Sequence, residues 1–327
     1  MRITIINVGY GDAILFQAKD GYTALLDGGS ALPEEFRGDP YRIPGAAYLQ
    51  AQGIRHLDAV LISHIHEDHV CGLEPILRQV PVGQLFVPYP TEPFQKGREV
   101  QPGPDAPRSV PLYTKALNAY RRILLAALER GVPVTVLRTG DALELTRELS
   151  MQVLAPKAAV TENYLSIVER LYQTEDGALA TKLLCQLDGM SNQTSLLLRF
   201  QTEGGVFLAA ADSCPREWDG VPKNLLENVN VLKLPHHGQI DSISELLMKK
   251  MPLSYVVTTS ASDRRYNSAN PKVYERLSAL YPEDRRPQFL FSDEREYPPY
   301  FSQPDGFQAI TLVMDSGRIT PEFVKIQ

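Results

Sequence analysis

Between His69 and His236 the chain contains no histidine, although six occur in its 327 residues. Cysteine is scarce as well. Cys71, Cys185 and Cys214 form an odd set with no short metal-type spacing, which argues against a disulfide framework and predicts reduced, buried thiols. No apolar run reaches the roughly 18 residues that a membrane-spanning helix requires. The opening Met1-Arg2-Ile3-Thr4-Ile5-Ile6-Asn7-Val8 is too short and too strand-like for a secretory leader, so a cytoplasmic protein is the expectation. Excess positive charge is also lacking, and the net charge of −6 gives no general attraction for nucleic acid or an acidic membrane. The 43% hydrophobic and 22% charged residues that remain are ordinary for a globular chain able to bury a large core.

The histidines that are present are concentrated. His64, His66 and His69 fall with Asp68 in His64-Ile65-His66-Glu67-Asp68-His69, directly after an apolar run. Four ligand-type side chains in one hexapeptide do not easily share one compact sphere, so two adjacent cations are the natural reading. His56 is isolated and reads as a surface residue, while the pair His236-His237 lies far downstream.

Strand-like runs at 2–8, 13–17 and 22–26 open the chain as a hairpin sheet. A helix over 46–52 leads to a strand over 58–62, and a helix over 73–79 follows the hexapeptide. The hexapeptide thus occupies a strand-to-helix loop, where ligands collect in α/β folds. Seven prolines between 88 and 111 predict a long irregular loop, followed by a helix over 111–130. A second variable stretch, 156–189, holds helical pieces. Strands over 195–200, 206–210, 231–234 and 255–259, helices over 244–251 and 271–281, and terminal strands over 309–314 and 319–324 complete the pattern. Without a repeat or a composition break, residues 1–327 read as a single domain with insertions at about 88–130 and 156–190.

The motifs Val8-Gly9-Tyr10-Gly11-Asp12-Ala13, Leu26-Asp27-Gly28-Gly29, Ser63-His64 with the rest of the hexapeptide, Asn192-Gln193-Thr194-Ser195-Leu196, Ala211-Asp212-Ser213 and Leu232-Lys233-Leu234-Pro235-His236-His237-Gly238 follow one another in a specific order. That order resembles the metallo-β-lactamase-fold hydrolase superfamily and, more narrowly, its ComEC-like hydrolase-domain group in stand-alone form. The resemblance implies an α/β, four-layer αββα sandwich holding two divalent metal ions, zinc or manganese. It implies His64 and His66 on the first ion, Asp68 and His69 on the second, and Asp212 bridging both. A proline-x-histidine ending places the last ligand at His237 and turns His236 toward substrate as a phosphate donor or proton shuttle. On an extended segment neighbouring side chains point oppositely, so one of the pair ligates easily. Asp27 would orient the metal loop, and Asp68 would both ligate and take the attacking water's proton.

Most members of that superfamily place a further first-metal histidine where this chain has Asn192, twenty residues before Asp212. Asn192 is either a weak ligand, a residue behind the ligands, or a local cap. An amide oxygen serves zinc less well than an imidazole, so the His64/His66 site is expected to be weak or empty. In Tyr266-Asn267-Ser268-Ala269-Asn270-Pro271 a histidine of the group is again missing, leaving Asn270 to contact substrate without carrying a proton. Ala211 replaces a glycine, a change expected only to tighten packing. Arg264, with Arg265, is the cationic candidate for phosphate. Tyr89, Tyr266, Tyr297, Tyr300 and Phe301 read as core or rim packing rather than base-stacking platforms.

The implied chemistry is metal-assisted hydrolysis. A phosphodiester suits it because two non-bridging oxygens can span two cations. The expectation is a phosphodiesterase or nuclease acting on a nucleotide or single-stranded nucleic acid. A carboxylic ester or lactone hydrolase is the rival enzyme reading. A non-catalytic, metal-bound partner protein in a defence or DNA-uptake system, docking through its insertions, is the third. The absence of a basic stripe counts against long duplex DNA.

Overall fold

The computed structural model describes residues 1–293, 300–301 and 303–326, and Tyr297 falls outside them. Its architecture follows from a period of two in the apolar residues of the first strands. In β1 (Arg2–Ile6), β2 (Ile14–Gln17), β3 (Thr23–Leu26) and β4 (Ala59–Leu61), residues Ile3, Ile5, Ile14, Phe16, Leu26 and Leu61 share one core, while Ile6, Leu15, Leu25 and Val60 share another. Strands buried on both faces read as continuous apolar runs, which is what these segments are. With β5 (Leu85–Val87), β6 (Val134–Val136), β14 (Ala309–Asp315) and β15 (Arg318–Val324) they form an eight-stranded sheet ordered β15-β14-β1-β2-β3-β4-β5-β6.

The second sheet repeats the pattern. It contains β7 (Ala142–Thr146), β8 (Leu149–Ala155), β9 (Leu197–Thr202), β10 (Gly205–Ala209), β11 (Val229–Lys233), β12 (Tyr255–Thr258) and β13 (Gln288–Phe291), in the order β13-β12-β11-β10-β9-β8-β7. Phe207, Val231 and Val257 face the first sheet, where Phe16 meets Phe200 with ring centroids 4.4 Å apart. Burying one such phenyl ring contributes about 1.5–3 kcal/mol. The opposite face, with Leu208, Leu232 and Val256, is covered by Tyr274 and Leu277 of the Pro271–Leu280 helix. Helix, sheet, sheet and helix are therefore stacked as four layers.

The stretch 88–112 is less irregular than its prolines imply. It holds a short helix, Glu92–Lys96, and the long helix begins at Ser109, with Pro111 in the first turn where a missing N–H costs little. The helices Ser109–Glu129, Ala158–Gln173 and Gly177–Ser191 contribute to the apolar cluster on the outer face of the first sheet. The expected helix over 244–251 shortens to Glu245–Met248. Strands β5 to β8 and β13 are not singled out by the sequence pattern, because β5 and β6 are three residues long and β7 is half-exposed. Cys71 and Cys214 are buried free thiols, but Cys185 is only half-buried.

One ion pair locks the sheets together at the end that matters. Asp12, in the β1–β2 loop, accepts from Lys233 Nζ of β11 at 2.5 Å and from Thr259 Oγ1 at 2.5 Å. Lys233 also donates to the Ala211 carbonyl at 3.0 Å, and both charged side chains are buried. Removing one partner strands the other charge away from water. Lys233→Met is accordingly expected to cost about 3–5 kcal/mol in urea unfolding, with most of that recovered when Asp12→Asn is added. Equal losses in the single and double variants would show that the pair is not coupled.

Candidate metal centre

Parallel strands bring the candidate residues to one edge. β3, β4 and β5 run parallel in the first sheet, as do β10, β11 and β12 in the second, and the loops at their carboxyl ends carry Asp27, the hexapeptide, Asp212 and the histidine pair. Close backbone approach fixes the loops against each other. A Cβ on Gly11 would lie 2.2 Å from the Asp68 carbonyl oxygen, and at φ +135° only glycine sits there without strain.

Within the hexapeptide loop, His64 Nε2 and His66 Nδ1 face each other at 3.1 Å, and His64 Nε2 is 3.9 Å from Asp212 Oδ2. Across the carboxylate, His69 Nε2 lies 3.4 Å from Asp212 Oδ1 and 3.6 Å from Asp68 Oδ2. His237 Nε2 lies 3.3 Å and 3.0 Å from the same two oxygens. Asp212 thus stands between a His64/His66 group and an Asp68/His69/His237 group.

His64, His69 and His237 each use the other nitrogen as an anchor, while His66 Nε2 faces Asp188 without a formed hydrogen bond. His64 Nδ1 meets Ser63 Oγ at 3.0 Å and Ser195 Oγ at 3.4 Å, and Ser195 Oγ also accepts from the Asp212 N–H. His69 Nδ1 pairs with Asp27 Oδ2 at 2.9 Å, while Asp27 also accepts from Ser63 N–H and Ser63 O–H. His237 Nδ1 donates to the Thr259 carbonyl at 2.6 Å. His66 Nε2 is 3.5 Å from Asp188 Oδ1, on the Gly177–Ser191 helix. Asp12 lies 3.8–4.0 Å behind His237 and His69, on the side of their anchored nitrogens.

The arrangement of charge fits cations. Among the described residues, His69 Nε2, His237 Nε2 and Asp212 Oδ1 are buried side-chain atoms without a formed hydrogen bond. Such atoms are rare in folded proteins and here they point at one another. Burial, and then the His69 charge, hold the His64 pKa well below that of a free imidazole. Burial lowers His69 too, but Asp68 and Asp212 outweigh it and raise its pKa well above the ordinary value. His237 behaves likewise: burial opposes, Asp212 and Asp68 prevail, and the pKa rises to about 9. Protons on His69 and His237 therefore stand where divalent cations would. The oxygen and nitrogen donor set suits zinc or manganese, with His64, His66 and Asp212 able to hold one ion and Asp68, His69, His237 and Asp212 the other.

Other sequence expectations change. The histidine pair is not extended: His236 (φ 47°, ψ 44°) and His237 (φ 52°, ψ 27°) form a left-handed turn, and that turn, rather than strand alternation, points them apart. His236 Nε2 is approached by Asn192 Nδ2 at 3.1 Å and Gln239 Nε2 at 2.9 Å, and its Nδ1 pairs with Asp241 at 3.2 Å. Asn192 caps the Gly177–Ser191 helix, bonds His236, and keeps Oδ1 buried without a partner. Asn270 is not at the site, because its side chain caps the Pro271–Leu280 helix by accepting from Lys272 N–H. Arg264 is exposed, and Arg265 rather than Arg264 lines the cavity, held by Glu35 at 2.6 Å. Ala211 does more than tighten packing, since its φ of 43° is left-handed. Tyr89 and Phe301 are buried, whereas Tyr266 is 62% exposed at the cavity rim.

The cavity over the centre measures about 360 Å³, with Tyr10, Asp188, Arg265 and Tyr266 in its lining. Asp188 and Asp241 are not marked by local spacing, whereas Tyr10 stands in the motif at 8–13 and Arg265 beside Arg264. Tyr10 packs on the His237 ring at 4.3 Å, and burial followed by Asp68 and Asp212 keeps its phenol protonated, a donor facing the cavity.

The family model described as Metallo-beta-lactamase superfamily matches residues 6–148. ComE operon protein 3 of Bacillus subtilis (strain 168) is 23% identical over 292 residues, 84% of this chain, but the match spans only 30% of that protein's length. Anti-Pycsar protein Apyc1 of Saccharibacillus brassicae is 29% identical over 226 residues, covering 67% of this chain and 80% of that protein. Among solved structures, isothiocyanate hydrolase from Delia radicum gut bacteria superimposes with a TM-score of 0.45 at 14% identity, covering 90% of this chain and 98% of that one.

Two outcomes follow from the geometry. Because His237 titrates near 9 and must be neutral to ligate, cation binding below that pH releases a proton and strengthens as pH rises. Calorimetric zinc titrations from pH 6 to 8 should show affinity climbing about tenfold per pH unit for each proton released; a flat profile would refute the assignment. Asp188→Asn should weaken one cation site by about 10–100-fold and leave the other intact. Loss at both sites, or at neither, would count against an anchoring role for Asp188.

Proposed function

We propose that this chain, which over residues 6–148 belongs to the metallo-beta-lactamase superfamily and has its αββα fold, is a metal-dependent phosphodiesterase acting on a small nucleotide. The observation that carries the reading is Asp212 set between two ligand groups whose free nitrogens converge on it. Two cations held there would supply Lewis acidity and a water acidic enough to attack near neutral pH. The remaining work falls to the chain. His64, His66, Asp68, His69 and His237 fix the two positions, and Asp27, Asp188, Ser63 and the Thr259 carbonyl fix the rings. Asp68, half-buried on the cavity side, would accept the water's proton.

Substrate size is set by the walls. A cavity of about 360 Å³ lies at the small end of the range for small-molecule sites. Arg265, steadied by Glu35 and Asp263, offers N–H donors to phosphate oxygens, and the exposed Tyr266 ring offers a face to a base. His236, Asn192, Gln239 and Tyr10 add further polar groups to the cavity lining.

Purified protein loaded with manganese or zinc should hydrolyse an aryl phosphodiester faster than an aryl carboxylic ester, and Asp212→Asn should lower the phosphodiester kcat/KM by at least about 100-fold. A faster carboxylic ester would establish the ester or lactone reading instead. No turnover of either substrate with any added metal would defeat the enzymatic reading.

A further inference from the structure

A second cluster of ligating atoms lies behind the cavity wall. Cys214 follows Asp212 by two residues and is buried, with Sγ 4.0 Å from His236 Nδ1. Asp241 approaches that same nitrogen with Oδ1 at 3.2 Å and Oδ2 at 3.4 Å, and one donor atom from each of the three residues lies within 4.8 Å of the others. We propose that Cys214, His236 and Asp241 form a zinc site separate from the Asp212 centre. It shares no ligand with that centre and does not depend on which ester the chain cleaves.

The donor chemistry selects the ion. With zinc–sulfur near 2.3 Å and zinc–nitrogen or –oxygen near 2.0–2.2 Å, tetrahedral ligand atoms lie about 3.3–3.6 Å apart. The pair at 3.2 Å lies about a tenth of an ångström short of this range, and the sulfur must close on His236 Nδ1 by a few tenths of an ångström. A thiolate with an imidazole and a carboxylate suits zinc and disfavours magnesium, calcium and manganese. Asp241 is partly exposed, so a water can take the fourth position. On binding, the Cys214 thiol gives its proton to solvent as the zinc–sulfur bond forms.

Occupancy also reaches the cavity. A cation on His236 Nδ1 leaves the ring proton on Nε2, the nitrogen that faces Asn192 and Gln239. Nε2 then donates rather than accepts. Asn192 Oδ1, buried without a partner, becomes available to receive it when the amide turns over. Zinc behind the wall thereby decides whether His236 Nε2 accepts from Asn192 or donates to it at the cavity lining.

Cobalt(II) distinguishes the two sites, because the Asp212 centre contains no cysteine. Full-length protein titrated with cobalt should develop a near-ultraviolet thiolate-to-cobalt charge-transfer band. Cys214→Ser should abolish it and lower zinc stoichiometry by one, while Cys185→Ser keeps the band. Asp241→Asn, a partly exposed position that tests the site without disturbing the core, should raise the cobalt concentration needed for the band at least tenfold. Absence of the band in folded wild type, or its persistence in Cys214→Ser, overturns the proposal.

Discussion

Asp68 and Asp212 both face His69 Nε2 and His237 Nε2 across 3.0–3.6 Å, at the bottom of a cavity in the seam between two sheets. Two carboxylates so close to the same imidazoles in a low dielectric cannot both stay ionised without positive charge beside them. Protons on His69 and His237 meet that need in the bare chain, and two divalent cations would meet it better. Much of the surrounding structure serves to hold this charge in place. Gly11 lets the first loop pass against the Asp68 carbonyl, and Ser195 ties Asp212 to His64. Beneath them, Lys233 and Asp12 join the sheets at the same level.

The legibility of this centre in the sequence divides along a physical line. His64, His66, Asp68 and His69 are ligand-type side chains supplied by one short loop, so their spacing alone marks them as candidates. The two-faced burial of β1 to β4 is likewise local, written in short continuous apolar runs. Asp188 and Asp241 carry no such mark. Asp188 is an ordinary charged residue brought to His66 from a helix 122 positions on, Asp241 meets His236 only through the local turn that follows it, and Arg265, named beside Arg264, is set at the cavity by its pairing with Glu35 across 230 positions. Asn270 and Arg264 failed for the converse reason. Their neighbourhood in the chain was right, but a helix cap claimed one side chain and a left-handed turn at φ 51° left the other exposed.

The insertions matter to the chemistry as well as to the surface. Their helices supply Ser109, Tyr113 and Asp188 to the cavity wall, and Asp188 also backs His66. A segment that reads as added to the fold therefore reaches the His64/His66 group. Asn192 follows the second insertion, with its amide on His236. Whatever affinity the His64/His66 position has is set partly by these helices.

The histidine pair shows how the chain arranges two adjacent residues for different tasks. Ala211, His236 and His237 all occupy the left-handed region, where a non-glycine residue costs about 1–2 kcal/mol. Such positions, with Asp27 at φ 57° a further one, persist only because their surroundings over-determine them. The His236 N–H donates to the Ala211 carbonyl at 2.9 Å, Lys233 donates to that same oxygen, and the Ala269 N–H donates to the His237 carbonyl. Strain at Ala211 and strain at the pair are thus held by one set of bonds, and the buried lysine is part of it. The result directs His237 toward Asp68 and Asp212 and leaves His236 free to join Cys214, Asp241 and the cavity, a division that an extended segment would not need strain to make but could not lock.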